Sequence, residues 1–280
     1  MALIDMSETY QMTNVGDHID GTDVYQSNRN RLDNWYFVGG GSQLGDGIFP
    51  INQRGQSSYA AYTNSIDRWY AAAAMTVAAD GISCGAIVQK LPQVAPLDGK
   101  TLTFSALLAD GTMLSGSAVL NSASDIYFYS DAGAGEYLLY NTYFGGFEVV
   151  TARKIAAVKL EVGTVSTLAN DVRPDFGEEL RKCKRRLRYV PLKRTPVILD
   201  GGYSVAAVTL TGIEMESFPT ASLVTAGTAY AYNPLTSATP TSASVIAFDY
   251  NTPTIQLGLN AALNGIGVVY DTVIQLSCEL

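Results

Sequence analysis

Eight aromatic side chains crowd one glycine-interrupted stretch: Tyr127, Phe128, Tyr129, Tyr137, Tyr140, Tyr143, Phe144 and Phe147. Sugars present apolar CH faces that stack on such rings and leave their hydroxyls for polar groups, and Asn141 and Asp131 lie close by in sequence. Tyr127, Tyr129, Tyr137, Tyr140, Asn141 and Tyr143 are therefore the candidate glycan contacts. The competing reading is that alternate rings, Phe128 or Tyr127 with Tyr129, fill a sandwich core. Trp35 and Trp69 read as core anchors.

Carboxylates offer a second chemistry. Glycoside hydrolysis needs two acids several ångströms apart, and Asp67, Asp80, Asp98, Asp110, Asp125, Asp131 and Glu136 are available. Most of them sit beside Gly or in turns, where a structural role is expected. The single histidine, His18, has no nucleophile elbow around it. One His and three scattered cysteines (Cys84, Cys183, Cys278) do not make a zinc ligand set, and the cysteines read as buried apolar side chains. Loop carboxylates could hold calcium, but no EF-hand spacing occurs. Gly39-Gly40-Gly41-Ser42 is not followed by Gly-Lys-Ser/Thr and reads as a loop. No catalytic residue, metal or cofactor is expected.

The elements that must position these residues are strands. Leu102, Phe104, Ala106 and Leu108 alternate with Thr101, Thr103, Ser105 and Leu107. Ala156, Val158, Leu160 and Val162 alternate with Ala157, Lys159 and Glu161, which predicts outward charges. Asp-Gly pairs at 46–47, 80–81, 98–99, 110–111 and 200–201 supply the positive φ of tight turns. The expected architecture is all-β: an arm over residues 1–30, a jelly-roll or β-sandwich domain over 31–168, a linker with one short helix over 169–194, and a second β-domain over 195–280. The helix is expected near 175–190. Asp175 stands three residues before Glu178 as an N-cap, and Phe176, Leu180, Cys183 and Leu187 recur at four, three and four residues. That stripe is the candidate oligomer interface, spaced like an a/d seam around which three copies could meet. Alternatively it packs on its own chain.

Composition narrows the function. Charged residues are only 16% of the 280, against about 25% usually, which excludes a disordered tail or charged coiled coil. A net charge of −8 disfavours a nucleic-acid partner. Eight basic residues fall between Arg181 and Arg194, which reads as a solvated face or one answering acids on a neighbouring subunit. From Thr195 onward there is no Lys or Arg, and a surface so poor in charge predicts cover by another copy of the chain. Neither a signal peptide nor an apolar run of membrane-spanning length is read, so no membrane insertion and synthesis in a cytoplasm are expected.

Three further groups of residues carry a resemblance. Leu32-Asp33-Asn34-Trp35-Tyr36-Phe37, Pro50-Ile51-Asn52-Gln53-Arg54-Gly55-Gln56 and Ile66-Asp67-Arg68-Trp69 resemble the opening of the β-domain of bacteriophage and prophage tail fibre proteins. Lys159-Leu160-Glu161-Val162-Gly163 with Ser166-Thr167-Leu168-Ala169 resembles the strand closing that domain. Asp175-Phe176-Gly177-Glu178-Glu179-Leu180-Arg181-Lys182-Cys183 resembles the helix that follows. The resemblance covers roughly residues 32–189. It departs after the Cys, where Lys184-Arg185-Arg186 stands instead of Gln-Arg-Tyr-Tyr, and the C-terminal domain matches only in Glu279-Leu280.

The resemblance implies a carbohydrate-binding-module-like jelly roll in a commonly trimeric fibre tip on the virion tail. A non-enzymatic receptor-binding protein is expected, with a bacterial cell-surface glycan and other tail proteins as partners. The alternatives are a polysaccharide depolymerase using paired carboxylates and a structural virion connector or decoration protein.

Overall fold

The computed structural model describes residues 29–40, 48–200, 205–232, 235–249, 254–260 and 265–278. His18 and the expected arm up to residue 28 lie outside them. The chain is all-β with one α-helix among the described residues, and it divides into two compact units, the second beginning at Leu180.

The first unit contains β1 (Ser58–Tyr59), β2 (Thr63–Asn64), β3 (Tyr70–Ala71), β4 (Met75–Ala78), β5 (Gly81–Cys84), β6 (Ala86–Gln89), β7 (Thr101–Leu108), β8 (Met113–Val119), β9 (Ile126–Asp131), β10 (Glu136–Asn141), β11 (Gly146–Val150) and β12 (Ile155–Val162). One sheet runs β1-β4-β5-β12-β7-β8 and the other β2-β3-β6-β11-β10-β9. The inward residues of both sheets form one core, in which Phe104 of the first sheet meets Phe128 and Phe147 of the second at 5.9 and 5.8 Å, edge to face. Leu102, Phe104, Ala106 and Leu108 are buried there, as their alternation predicts. Gly81, Gly99 and Gly111 have positive φ, as their Asp-Gly turns require. At the edge where β8 meets β9, a Cβ on Gly116 would stand 1.7 Å from the Phe128 carbonyl oxygen, so only glycine fits.

Lys159 and Glu161 point away from the sandwich core, but they are not in solvent. Each is 1% exposed, because residues that follow β12 fold back over this face. Lys159 Nζ lies 2.8 Å from Asp171 and 2.6 Å from Thr167 Oγ1, and Glu161 accepts hydrogen bonds from Thr167 N and Oγ1 at 2.8 Å. The period-two pattern gives the side of the sheet, and the returning segment decides the exposure.

The residues before β1 close the sandwich through Asn34. Its backbone is left-handed (φ 49°) and its side chain is sealed. Nδ2 donates to Ile51 O and Asp67 O at 2.8 Å, and Oδ1 accepts from Ile51 N at 2.7 Å. The Asn34 carbonyl takes the Trp69 indole N–H at 2.9 Å, and its own N–H donates to Glu179 at 2.8 Å. Around it Gln53 N donates to Asp67 at 2.9 Å, and Asp33 and Gln89 exchange two hydrogen bonds of 2.8 Å. The Tyr59 hydroxyl donates to Asn52, and burial pushes that phenol up to about 12.

The helix α1 (Phe176–Lys184) starts as expected, with Asp175 Oδ1 accepting from Glu178 N at 2.7 Å. It ends sooner than expected. Leu187 is not on it but opens β13 (Leu187–Leu192), which pairs with the last strand. Pro191 has no N–H for a helix and is tolerated on this edge strand. The second unit therefore begins before the composition change at Arg194. Its other strands are β14 (Thr195–Asp200), β15 (Val205–Thr211), β16 (Thr220–Thr225), β17 (Thr228–Tyr232), β18 (Leu235–Ala238), β19 (Ala243–Asp249), β20 (Thr254–Asn260), β21 (Gly265–Tyr270) and β22 (Thr272–Ser277). They form sheets β13-β22-β16 and β18-β17-β21-β14-β15-β20-β19 around a core that includes Leu257, Leu259, Val269, Ile274 and Leu276. The three cysteines are free and buried, as expected.

Replacing Asn34 by Ala orphans the Ile51 N–H and the Asp67 carbonyl in the interior. Urea unfolding followed by tryptophan fluorescence is expected to show a loss of about 3 kcal/mol.

Candidate functional site

Register places one residue from every strand of the second sheet in a single row on its outer face. Asn64 pairs with Tyr70, Tyr70 with Val88, Val88 with Glu148, Glu148 with Leu139, and Leu139 with Tyr127. Directly opposed residues share a face, and their sequence neighbours Ala71, Ile87, Phe147, Val149 and Leu138 lie in the core, which fixes the row as outward. Six strands at ~4.8 Å spacing make the row about 24 Å long. Val88, Glu148 and Leu139 are nearly buried at its middle, and exposure rises to 55% at Tyr127.

Aromatic rings stand at both ends of the buried centre. Tyr137, two residues before Leu139 on the same face, packs edge-on against Tyr127 at 6.0 Å. On the other side Tyr70 meets Phe144 at 5.7 Å, and Phe144 meets Tyr143 at 5.0 Å. Tyr143 is 87% exposed. Asn141 builds the turn that carries these last two rings, its Oδ1 accepting from Tyr143 N at 2.9 Å, and Asp125 Oδ1 fastens the turn by accepting from Thr142 N at 2.8 Å. Asn141 Nδ2 then donates to Glu148 Oε2 at 2.6 Å. A carboxylate and a carboxamide thus form the polar centre of an otherwise aromatic and aliphatic strip.

Of the residues singled out from the sequence, Tyr127, Tyr137, Asn141 and Tyr143 come together here. Tyr129 and Tyr140 do not. Tyr140 is buried against Phe147 at 5.3 Å, and Tyr129 packs on the core. The reason at Tyr129 is a bulge: β9 has one extra residue between the partners of Leu138 and Leu139, so Phe128 and Tyr129 both turn inward. Glu148, Tyr70 and Phe144 complete the strip. Glu148 had one readable signal, an acid at the outward parity of the apolar strand Gly146–Val150. Tyr70 had none, because only strand pairing brings it across.

The remaining acids are engaged in structure. Asp80 takes Lys154, Asp98 takes Ser122, Asp110 takes Thr112 and Arg153, and Glu136 takes Arg153 and Thr151. Hydrogen bonds to these partners hold all four carboxyls below their ordinary range. Asp131 accepts from Gly133 N and Ala134 N in a turn. Glu148 is different: burial pushes its carboxyl up, the bond from Asn141 opposes this, and Asp125 adds to it.

The stripe read as an oligomer seam is not continuous. The Phe176 ring lies 5.5 Å from Phe49, Leu180 is half-buried, Cys183 is buried, and Leu187 is buried in a strand rather than on the helix. Cys183 and Leu187 are covered by their own chain, while Phe176 and Leu180 are partly exposed. Among the basic residues, Arg186 pairs with Glu216 of its own unit.

Because the folded state raises the Glu148 pKa, the buried carboxylate favours folding less as pH climbs through that value. Below the ordinary carboxyl range both folded and unfolded chains are protonated and the cost is absent. Glu148→Gln is therefore expected to raise the melting temperature at pH 7 and to leave it unchanged near pH 3, as read by calorimetry.

Set against family models, curated proteins and solved structures, the chain matches none of them, so the geometry of this face carries the functional reading.

Proposed function

We propose that this chain is a non-enzymatic receptor-binding protein of the bacteriophage tail-fibre kind, that its first unit is a jelly roll of the carbohydrate-binding type, and that it attaches to a bacterial cell-surface glycan. The observation that carries the reading is the strip itself: aromatic rings at both ends of a hydrogen-bonded Asn141–Glu148 centre, on the outer face of a rigid sheet. Rings stack on sugar faces, and an amide and a carboxylate serve hydroxyls. Each contact is weak, and copies on one virion multiply them. The residues named in the resemblance support the same reading by their order along the chain, and other tail proteins are its remaining partners.

The depolymerase alternative is not favoured, because the acids it would use are committed to turns and ion pairs. The proposed assembly is a homotrimer held by the partly exposed helix residues Phe176 and Leu180 and by the charge-poor second unit. The exposed apolar side chains of the second unit, Phe218, Val224, Ile246 and Ile266, are its candidate surface.

Purified protein is expected to bind host polysaccharide reversibly and to release no reducing sugar, and Tyr127→Ala with Tyr137→Ala is expected to weaken binding at least tenfold. Sugar release would establish the depolymerase, and absence of binding to host cells would establish a connector. Light scattering is expected to give about 90 kDa, three times the chain mass of 29.9 kDa. Ile266→Asp is expected to lower that mass; a wild-type value near 30 kDa would refute the trimer.

A further inference from the structure

Resting on the glycan reading above, we infer that the strip selects uncharged sugars, with Glu148 as the residue that excludes acidic ones. Three observations place this role on Glu148. It stands at the middle of the row, between Val88 and Leu139, so a chain lying across the strands from Tyr70 to Tyr127 must pass over it. Its Oε2 is fixed by Asn141, while Oε1 accepts no hydrogen bond among the described residues and is not sealed from solvent. That oxygen keeps its acceptor capacity for a hydroxyl.

The third observation is charge. Among the described residues no basic side chain forms an ion pair with Glu148, and the charge that acts on it is another acid, Asp125, which precedes β9 and fastens the turn at Thr142. A uronate or other carboxylated sugar laid here would bring a third negative charge to a nearly buried carboxylate flanked by aliphatic side chains, where screening by water is weak. A neutral sugar brings a hydroxyl donor instead. Exclusion of this kind works by repulsion against the wrong ligand as much as by attraction to the right one.

The test uses the full chain and matched probes: neutral glucan, mannan and galactan, each beside the same polymer oxidised at its primary hydroxyls to the uronate. Wild type is expected to bind at least one neutral polymer at least tenfold more tightly than its oxidised form. Glu148→Gln keeps the shape and is expected to bring the two within about threefold, chiefly by improved binding of the uronate. Tyr137→Ala is expected to weaken both forms alike and keep their ratio. Equal binding of neutral and oxidised polymers by wild type, or a ratio unchanged in Glu148→Gln, overturns this inference while leaving the glycan reading standing. Binding of host polysaccharide but of none of these polymers overturns this inference alone, and binding of neither overturns both.

Discussion

Asn34 spends every polar atom it has on closing the first unit. Three segments far apart in sequence, around Asn34 itself, Ile51 and Asp67, meet on its one side chain, and Trp69 and Glu179 bond its backbone. Asn34 is fully buried, so the site tolerates neither a shorter side chain nor one without both a donor and an acceptor. Asn also adopts the left-handed backbone with less strain than most residues. The segments Leu32–Phe37, Pro50–Gln56 and Ile66–Trp69 supply most of the residues of this knot. Their order along the chain is thereby a structural signature, and their chemistry faces inward.

That inward commitment frees the opposite face of the second sheet. Ala71, Ile87, Phe147 and Leu138 anchor the strands from below, and their alternate neighbours are left to form the row from Asn64 to Tyr127. The turn after Asn141 adds Tyr143 and Phe144, held by Asn141 and Asp125. Strands and one fastened turn hold this strip in a single arrangement. Glu148 is the one part of the strip that costs stability, since burial disfavours its charge.

The two faces of the first sheet follow the same logic with a different outcome. Lys159, Glu161, Thr103 and Ser105 lie on its outer side but are sealed by the returning chain, whose Thr167 and Asp171 satisfy the charges. One outer face of the sandwich is thus closed by the protein's own backbone.

Local pattern determined a great deal. The period of two over Thr101–Leu108, the Asp-Gly turns at 80–81, 98–99 and 110–111 and the capping residue Asp175 each specify their own geometry through nearest neighbours, and the structure contains them, while the pairs at 46–47 and 200–201 reach outside the described residues. The aromatic stretch was legible as a group, and four of its six candidate contacts share the strip. The tertiary structure alone decided the rest, because each remaining feature depends on a residue distant in sequence. A bulge in β9 turned Tyr129 inward, a partner strand near the C-terminus drew Leu187 out of the helical stripe, and strand pairing brought Tyr70 and Glu148 to the tyrosines. Periodicity fixes which side of a strand a residue takes. Which strands lie beside it, and what covers that side, is set by packing between segments that the local pattern does not contain.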